Sequence, residues 1–152
     1  MSTELFKDGE FFVGCNYWAS HAGTNMWHDW NPEVIDKDFE LLAKSKVKVV
    51  RAFPLWSDFQ PIKMHYTQAG NLKEIRMGED LPPFTPEGNA GISPVMLERF
   101  GEFLDIAKKH GIKLVIGLIT GWMSGRLYVP ELLEGKNILC DPVAIKWEIK
   151  FV

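Results

Sequence analysis

The sequence predicts an α/β fold in which a short β-hairpin precedes three β/α units on a parallel sheet. Apolar runs suited to buried strands alternate with amphipathic helical segments, and that alternation implies parallel strands. Each helix passes into the next strand through a turn of two residues, Ser45-Lys46 and His110-Gly111. A faint repeat supports the same unit: "AKSKVKVV" at 43–50 is echoed by "AKKHGIKLV" at 107–115, with one residue inserted.

The elements follow in order. Asp8-Gly9 lies between Leu5-Phe6 and Phe11-Phe12-Val13 and is a dipeptide favoured in tight hairpins. Phe11 to Asn16 then reads as a strand buried on both faces. In "NPEVIDKDFELLAKS", Asn31 caps a helix, Pro32 fits its first turn, and Ile35, Phe39 and Leu42 form the buried stripe. Val47 to Phe53 is the second strand. In "SPVMLERFGEFLDIAKKHG", Ser93 caps and Gly111 stops the helix, while Leu97, Phe100, Leu104 and Ala107 are expected to line its buried face. Ile112 to Ile119 is the third strand. In "DPVAIKWEIKFV" the alternation of Ile145, Trp147, Ile149 and Phe151 favours a strand, but the Asp141-Pro142 start favours a helix and decides for it.

Composition narrows the functions open to this fold. The chain has 152 residues, 46% hydrophobic and 24% charged, which suits one domain with its own core. Its net charge of -3 comes with no basic run longer than two, so no nucleic-acid footprint is present. No stretch approaches the roughly 20 apolar residues that span a bilayer, so no membrane partner is expected. The start "MSTELFKDGE" has neither a basic nor an apolar leader segment, so no signal peptide is visible and the chain as written reads as cytoplasmic. Cys15 and Cys140 are too far apart in sequence to read as a disulfide framework and are expected to be reduced and buried.

The strand-to-helix connections, at 18–31, 54–92 and 120–140, are long, and all leave the carboxyl ends of strands. Long loops at that end of a parallel sheet usually carry function. Five of the six tryptophans, Trp18, Trp27, Trp30, Trp56 and Trp122, fall in or beside them, as do Tyr17 and Arg126. Aromatic faces beside polar side chains suit a sugar, with its C–H patches and hydroxylated edge. Val49 and Val50 run directly into Arg51 and the apolar group Phe53, Pro54, Leu55 and Trp56, which reads as a buried strand opening onto a pocket.

At these residues the chain resembles the clan of retaining (β/α)8-barrel glycoside hydrolases, most closely family 5, the cellulase and β-mannanase family. "DGEFFVGCNYW" (8–18) is similar to that family's opening hairpin and first strand, "VKVVRAF" (47–53) to its second strand, and "GIKLVIGLITGW" (111–122) to its third. "WSDFQP" (56–61) also resembles β-galactosidase families of the same clan. The resemblance implies that residues 1–152 are the N-terminal portion of a single TIM barrel, incomplete by itself. It implies that Arg51 lies in the pocket and orients the nucleophilic carboxylate, the alternative being a structural ion pair. It also implies that Asn16, Tyr17, Trp18, Trp56, Trp122 and Arg126 contact a carbohydrate substrate.

Retaining hydrolysis needs two carboxyl groups about 5–5.5 Å apart. In this clan the acid/base follows an Asn, and the chain has no Asn-Glu pair. The loop acids Asp29, Asp58, Glu74, Glu79, Asp80, Glu87, Glu131 and Glu134 show no paired spacing. The catalytic pair is therefore expected outside this chain, in the remainder of the barrel, on the same polypeptide or a second chain. His21 and His28 lack the helical register of a zinc motif, and no phosphate loop is present, so no metal or cofactor is expected. Two other readings stay open: a non-catalytic carbohydrate-binding or barrel-completing module, and a sugar-phosphate barrel.

Overall fold

The structure, a computed structural model, describes Gly9 and residues 11–152. The hairpin expected at Asp8-Gly9 has its first arm outside the described residues. The chain divides into two compact units, one of residues 1–53 and 99–117, the other of 54–98 and 118–152.

The first unit is an α/β sheet. Strand β1 (Val13–Asn16) pairs in parallel with β2 (Val47–Ala52), which pairs in parallel with β5 (Lys113–Ile116). Helix α1 (Pro32–Lys44) joins β1 to β2, and Asn31 Oδ1 accepts from the Val34 amide at 3.2 Å to cap it. Ile35 and Phe39 are buried as expected, with Leu42 half-buried. The later helix, α4 (Pro94–Lys109), is capped by Ser93 Oγ on the Met96 amide and stops at Gly111, whose φ of 67° suits a residue without Cβ.

Its buried face matches the expected one in part, since Ala107 is buried and Phe100 half-buried. Met96, Phe103 and Ala107 are buried, whereas Leu97 and Leu104 are exposed. The phase is set by Phe103, which meets Tyr17, Trp27 and Phe39 at ring-centroid distances of 5.9, 5.6 and 5.3 Å. These aromatic contacts outweigh the two leucines and turn the helix by about one residue.

Strands β1 and β5 are shorter and more exposed than expected. Val50 and Ala52 on the helix side of the sheet are buried, while Asn16, Arg51 and Val115 on the other side are exposed. The thiols also differ from expectation: both are free, but Cys15 is only half-buried and Cys140, in the turn before Asp141, is exposed.

The second unit is built from the segments expected to be loops. Helix α2 (Trp56–Phe59) leads into an antiparallel hairpin of β3 (Ile62–Tyr66) and β4 (Leu72–Met77), followed by the short α3 (Pro86–Asn89). A second hairpin, β6 (Trp122–Met123) and β7 (Arg126–Leu127), turns at Ser124-Gly125, both at positive φ. A 3-10 turn (Glu131–Leu133) and α5 (Pro142–Phe151) complete it. The helix expected after Asp141 is present, and the Asp141 carboxylate accepts from the Val143 and Ala144 amides at 2.8 and 3.3 Å.

Trp56, Ile62, Leu132, Leu133, Ala144 and Trp147 form this unit's core. Gln60 is wholly buried within it. Its amide accepts from Trp56 Nε1 at 2.8 Å and donates to the carbonyls of Ala90 at 2.7 Å and Trp147 at 3.1 Å. A buried amide with three partners meets the requirement that interior polar groups be hydrogen-bonded.

Candidate functional site

In the first unit, the parallel register of β1 and β2 places Asn16 beside Arg51 and Gly14 beside Val49. These four residues and Cys15 line an open hollow of about 340 Å³. A Cβ on Gly14 would stand 3.1 Å from the Val49 carbonyl oxygen, so the absence of a side chain there lets the two strands approach. Arg51 is exposed at the end of a strand whose valines are buried. The strand thus carries a guanidinium to the rim of the hollow, as the sequence pattern anticipates.

Aromatic side chains surround this corner. Arg51 Cζ lies 4.8 Å from the Phe53 ring centroid, and Trp18 stacks on Phe53 at 5.4 Å and 21°. Among the described residues the Arg51 guanidinium makes no hydrogen bond or ion pair, so its donors remain available to an acceptor in the hollow. Asn16 offers both an amide donor and a carbonyl acceptor there. The set can hold an anionic or hydroxylated group against one aromatic face. Hydrolysis would need carboxyl groups as well, and the hollow's lining contains none.

The remaining residues expected at the site lie elsewhere. Tyr17 follows Asn16 and points the opposite way, into the core, where it is 5% exposed. Its hydroxyl donates to Asp38 Oδ2 at 3.0 Å, and burial together with the Asp38 charge drives the phenol well above its ordinary range. Trp56, expected to contact substrate, is wholly buried in the core with its N–H on Gln60. Tyr17 turns inward because neighbours along an extended segment face opposite sides; Trp56, at the start of α2, turns inward into the core of the second unit.

Trp27 is likewise buried, and its indole N–H donates to the Phe53 carbonyl at 2.9 Å, pinning the 18–31 loop. Trp30 stacks on Trp27 at 5.7 Å and donates to Glu102 Oε2 at 2.6 Å. Trp122 and Arg126 are exposed on the β6–β7 hairpin of the second unit. Trp122 pairs with Leu127 and Met123 with Arg126, so the indole and the guanidinium occupy opposite faces of the hairpin.

Phe53 is the residue at this corner that the sequence reading omitted as a site residue. The signal was the i, i+2 spacing of Arg51 and Phe53 along an extended segment, which places both on one side.

No protein-family model matches the chain, and no curated protein matches it. Solved structures do. The exo-β-1,4-mannosidase Op5Man5 from Opitutaceae bacterium strain TAV5 matches with a TM-score of 0.70 and 29% identity over 92% of this chain and 20% of its own. A GH5_18 variant from Streptomyces cattleya in complex with Manb1-4GlcNAc matches with a TM-score of 0.69 and 21% identity, over 92% of this chain and 28% of its own. A GH5_18 variant from Bifidobacterium longum subsp. longum, in complex with the same disaccharide, gives a TM-score of 0.70 and 21% identity, over 93% and 28%.

The chain resembles family 5 glycoside hydrolases. The expected likeness is therefore borne out, and it extends over nearly all of the chain. The chain spans only 20–28% of the length of these enzymes, consistent with part of a barrel. At 21–29% identity the likeness shows a shared fold.

Proposed function

We propose that this chain is the N-terminal part of a (β/α)8-barrel glycoside hydrolase that acts by a retaining mechanism on a β-linked mannoside. The observation that carries the proposal is the juxtaposition of Asn16 and Arg51 at the carboxyl ends of adjacent parallel strands, with Trp18 close by on Phe53. Ligands of parallel α/β folds bind at that end. The choice of mannoside is supported by the mannosidase and the Manb1-4GlcNAc complexes that the fold resembles.

In this reading the catalytic carboxyl pair comes from the rest of the barrel. Arg51 donates its paired N–H groups to the nucleophilic carboxylate, keeping it ionised at neutral pH and aimed at the anomeric carbon. Asn16 bonds a sugar hydroxyl, and Trp18 offers a face to the sugar's C–H surface. Trp122, exposed on its own hairpin, is a further candidate for stacking.

The test is hydrolysis of 4-nitrophenyl β-mannoside and β-1,4-mannobiose by the polypeptide that carries this segment, beside its Arg51→Ala variant. Turnover should fall by about 10²-fold or more in the variant, with the melting temperature nearly unchanged, because misplacing a reacting group by about an ångström has that effect. Equal turnover in the two proteins would remove Arg51 from the site. A second reading, a carbohydrate-binding or barrel-completing module without chemistry of its own, is favoured by the lack of a carboxylate in the hollow's lining. Saturable mannobiose binding without hydrolysis by the intact polypeptide would establish it.

A further inference from the structure

We propose that Phe53 is the positioning residue of this site: its ring sets where the Arg51 guanidinium stands, and Trp27 fixes Phe53 in turn. The inference rests on the reading of Arg51 given above. An arginine has a long flexible stem, and its fork directs a carboxylate only when something holds it in place. Among the described residues the guanidinium of Arg51 makes no hydrogen bond or ion pair, and it lies over the Phe53 ring, 4.8 Å from its centroid. A guanidinium held by an aromatic quadrupole commits no N–H to a protein acceptor, so its donors stay available to a carboxylate.

The ring can serve this way because it is itself immobile. Phe53 is 5% exposed and carries the Trp18 indole at 5.4 Å. Its carbonyl accepts from Trp27 Nε1 at 2.9 Å. Trp27 is wholly buried, meets the Phe103 ring of α4 at 5.6 Å, and stacks on Trp30 at 6°. The Arg99 guanidinium donates to the Trp27 carbonyl and, at 3.3 Å, to that of His28. A continuous set of contacts therefore runs from α4 through Trp27 and Phe53 to Arg51. No link in it depends on the substrate.

Nuclear magnetic resonance of the Arg51 side chain tests this without any activity. In the unsubstituted protein the Arg51 Hδ and Hε resonances should lie upfield of those of exposed Arg126, because the ring current of Phe53 shields them. Phe53→Met, which keeps an apolar side chain but removes the ring, should abolish the shift, and Phe53→Tyr should retain it. In the polypeptide that carries this segment, Phe53→Met should lower kcat about tenfold or more with KM within about twofold. It should also raise the acid limb of the kcat/KM profile, since a displaced guanidinium holds the nucleophile ionised less well; Phe53→Tyr should restore both.

Ordinary Arg51 shifts in the unsubstituted protein, which needs no variant to fold, would overturn the proposal. So would a Phe53→Met protein with parental kcat and acid limb while Arg51→Ala is inactive. Unchanged turnover in Arg51→Ala would sink the functional reading alone and leave the resonance result to decide the positioning.

Discussion

In the first unit Trp27 places its indole N–H on a backbone carbonyl, that of Phe53; in the second, Trp56 places its own on a side chain, Gln60. The Phe53 carbonyl is held as backbone, directly after β2. A side-chain amide is not, and Gln60 must be held by the carbonyls of Ala90 and Trp147. The first unit's packing is spread over the rings of Tyr17, Trp27, Phe39 and Phe103 and gives way gradually when one contact is lost. The second, assembled from connections between sheet elements, converges on one polar residue.

That contrast is most easily broken at Gln60. Gln60→Leu keeps the approximate volume but strands one buried donor and two buried acceptors, each costing about 1–3 kcal/mol when unmet. The expected loss is about 3–5 kcal/mol in denaturant unfolding, with the Arg51 resonances of the first unit unmoved. A loss below about 1 kcal/mol would mean that the three hydrogen bonds are dispensable.

The same difference explains what the sequence made legible. The first unit's elements carry local signals: Asn31-Pro32 and Ser93-Pro94 at helix starts, Gly111 at a stop, and β-branched runs at 47–50 and 112–116. Arg51 was identifiable because a charge directly after buried valines is conspicuous. Its neighbour Tyr17 was misplaced because motif proximity ignores alternation, and the face of α4 was misread in part because Phe103 competes with two leucines for the core. In the second unit the β3–β4 hairpin had a signal, the alternation of "IKMHY" and "LKEIRM" around Gly70, which the expectation of long loops concealed. The role of Gln60 had no local signal. Trp56 is only four residues away, but the other two partners of Gln60 lie 30 and 87 residues away, so only the fold brings them together.

The two units also offer a matched pair of helix caps, each an amide or acid followed by proline. Asn31 does not titrate, so Asn31→Ala should cost about 1 kcal/mol at every pH. The Asp141 carboxyl is held below the ordinary carboxylate range, first by the Val143 amide, with Lys136 Nζ at 3.7 Å contributing. A folded-state pKa below the unfolded one stabilises fully above the unfolded value, and the effect is lost as pH falls through the folded value. The stability gap between parent and Asp141→Ala should therefore close on acidification below about pH 4, while the Asn31→Ala gap stays open. Thermal unfolding of both variants between neutral and strongly acidic pH measures this. A pH-invariant gap at Asp141 would show that its contribution is steric and not a charged cap.

The smallest expected effect compares the stops of the two helices in the first unit. After α4 the left-handed position is Gly111, with φ 67°; after α1 the corresponding position is Lys46, with φ 63°. A left-handed residue bearing a Cβ costs about 1–2 kcal/mol, and replacing it by glycine returns that strain minus about 0.5–1 kcal/mol of added unfolded-chain entropy. Lys46→Gly should therefore raise stability by about 0.5–1 kcal/mol, and Gly111→Lys should lower it by a similar amount. Lys46 is exposed, so no packed contact opposes the change. If Lys46→Gly leaves the melting temperature unchanged while Gly111→Lys lowers it, the two stops are not equivalent. The lysine would then return, through its charge at the negative end of α1, as much free energy as its backbone conformation costs.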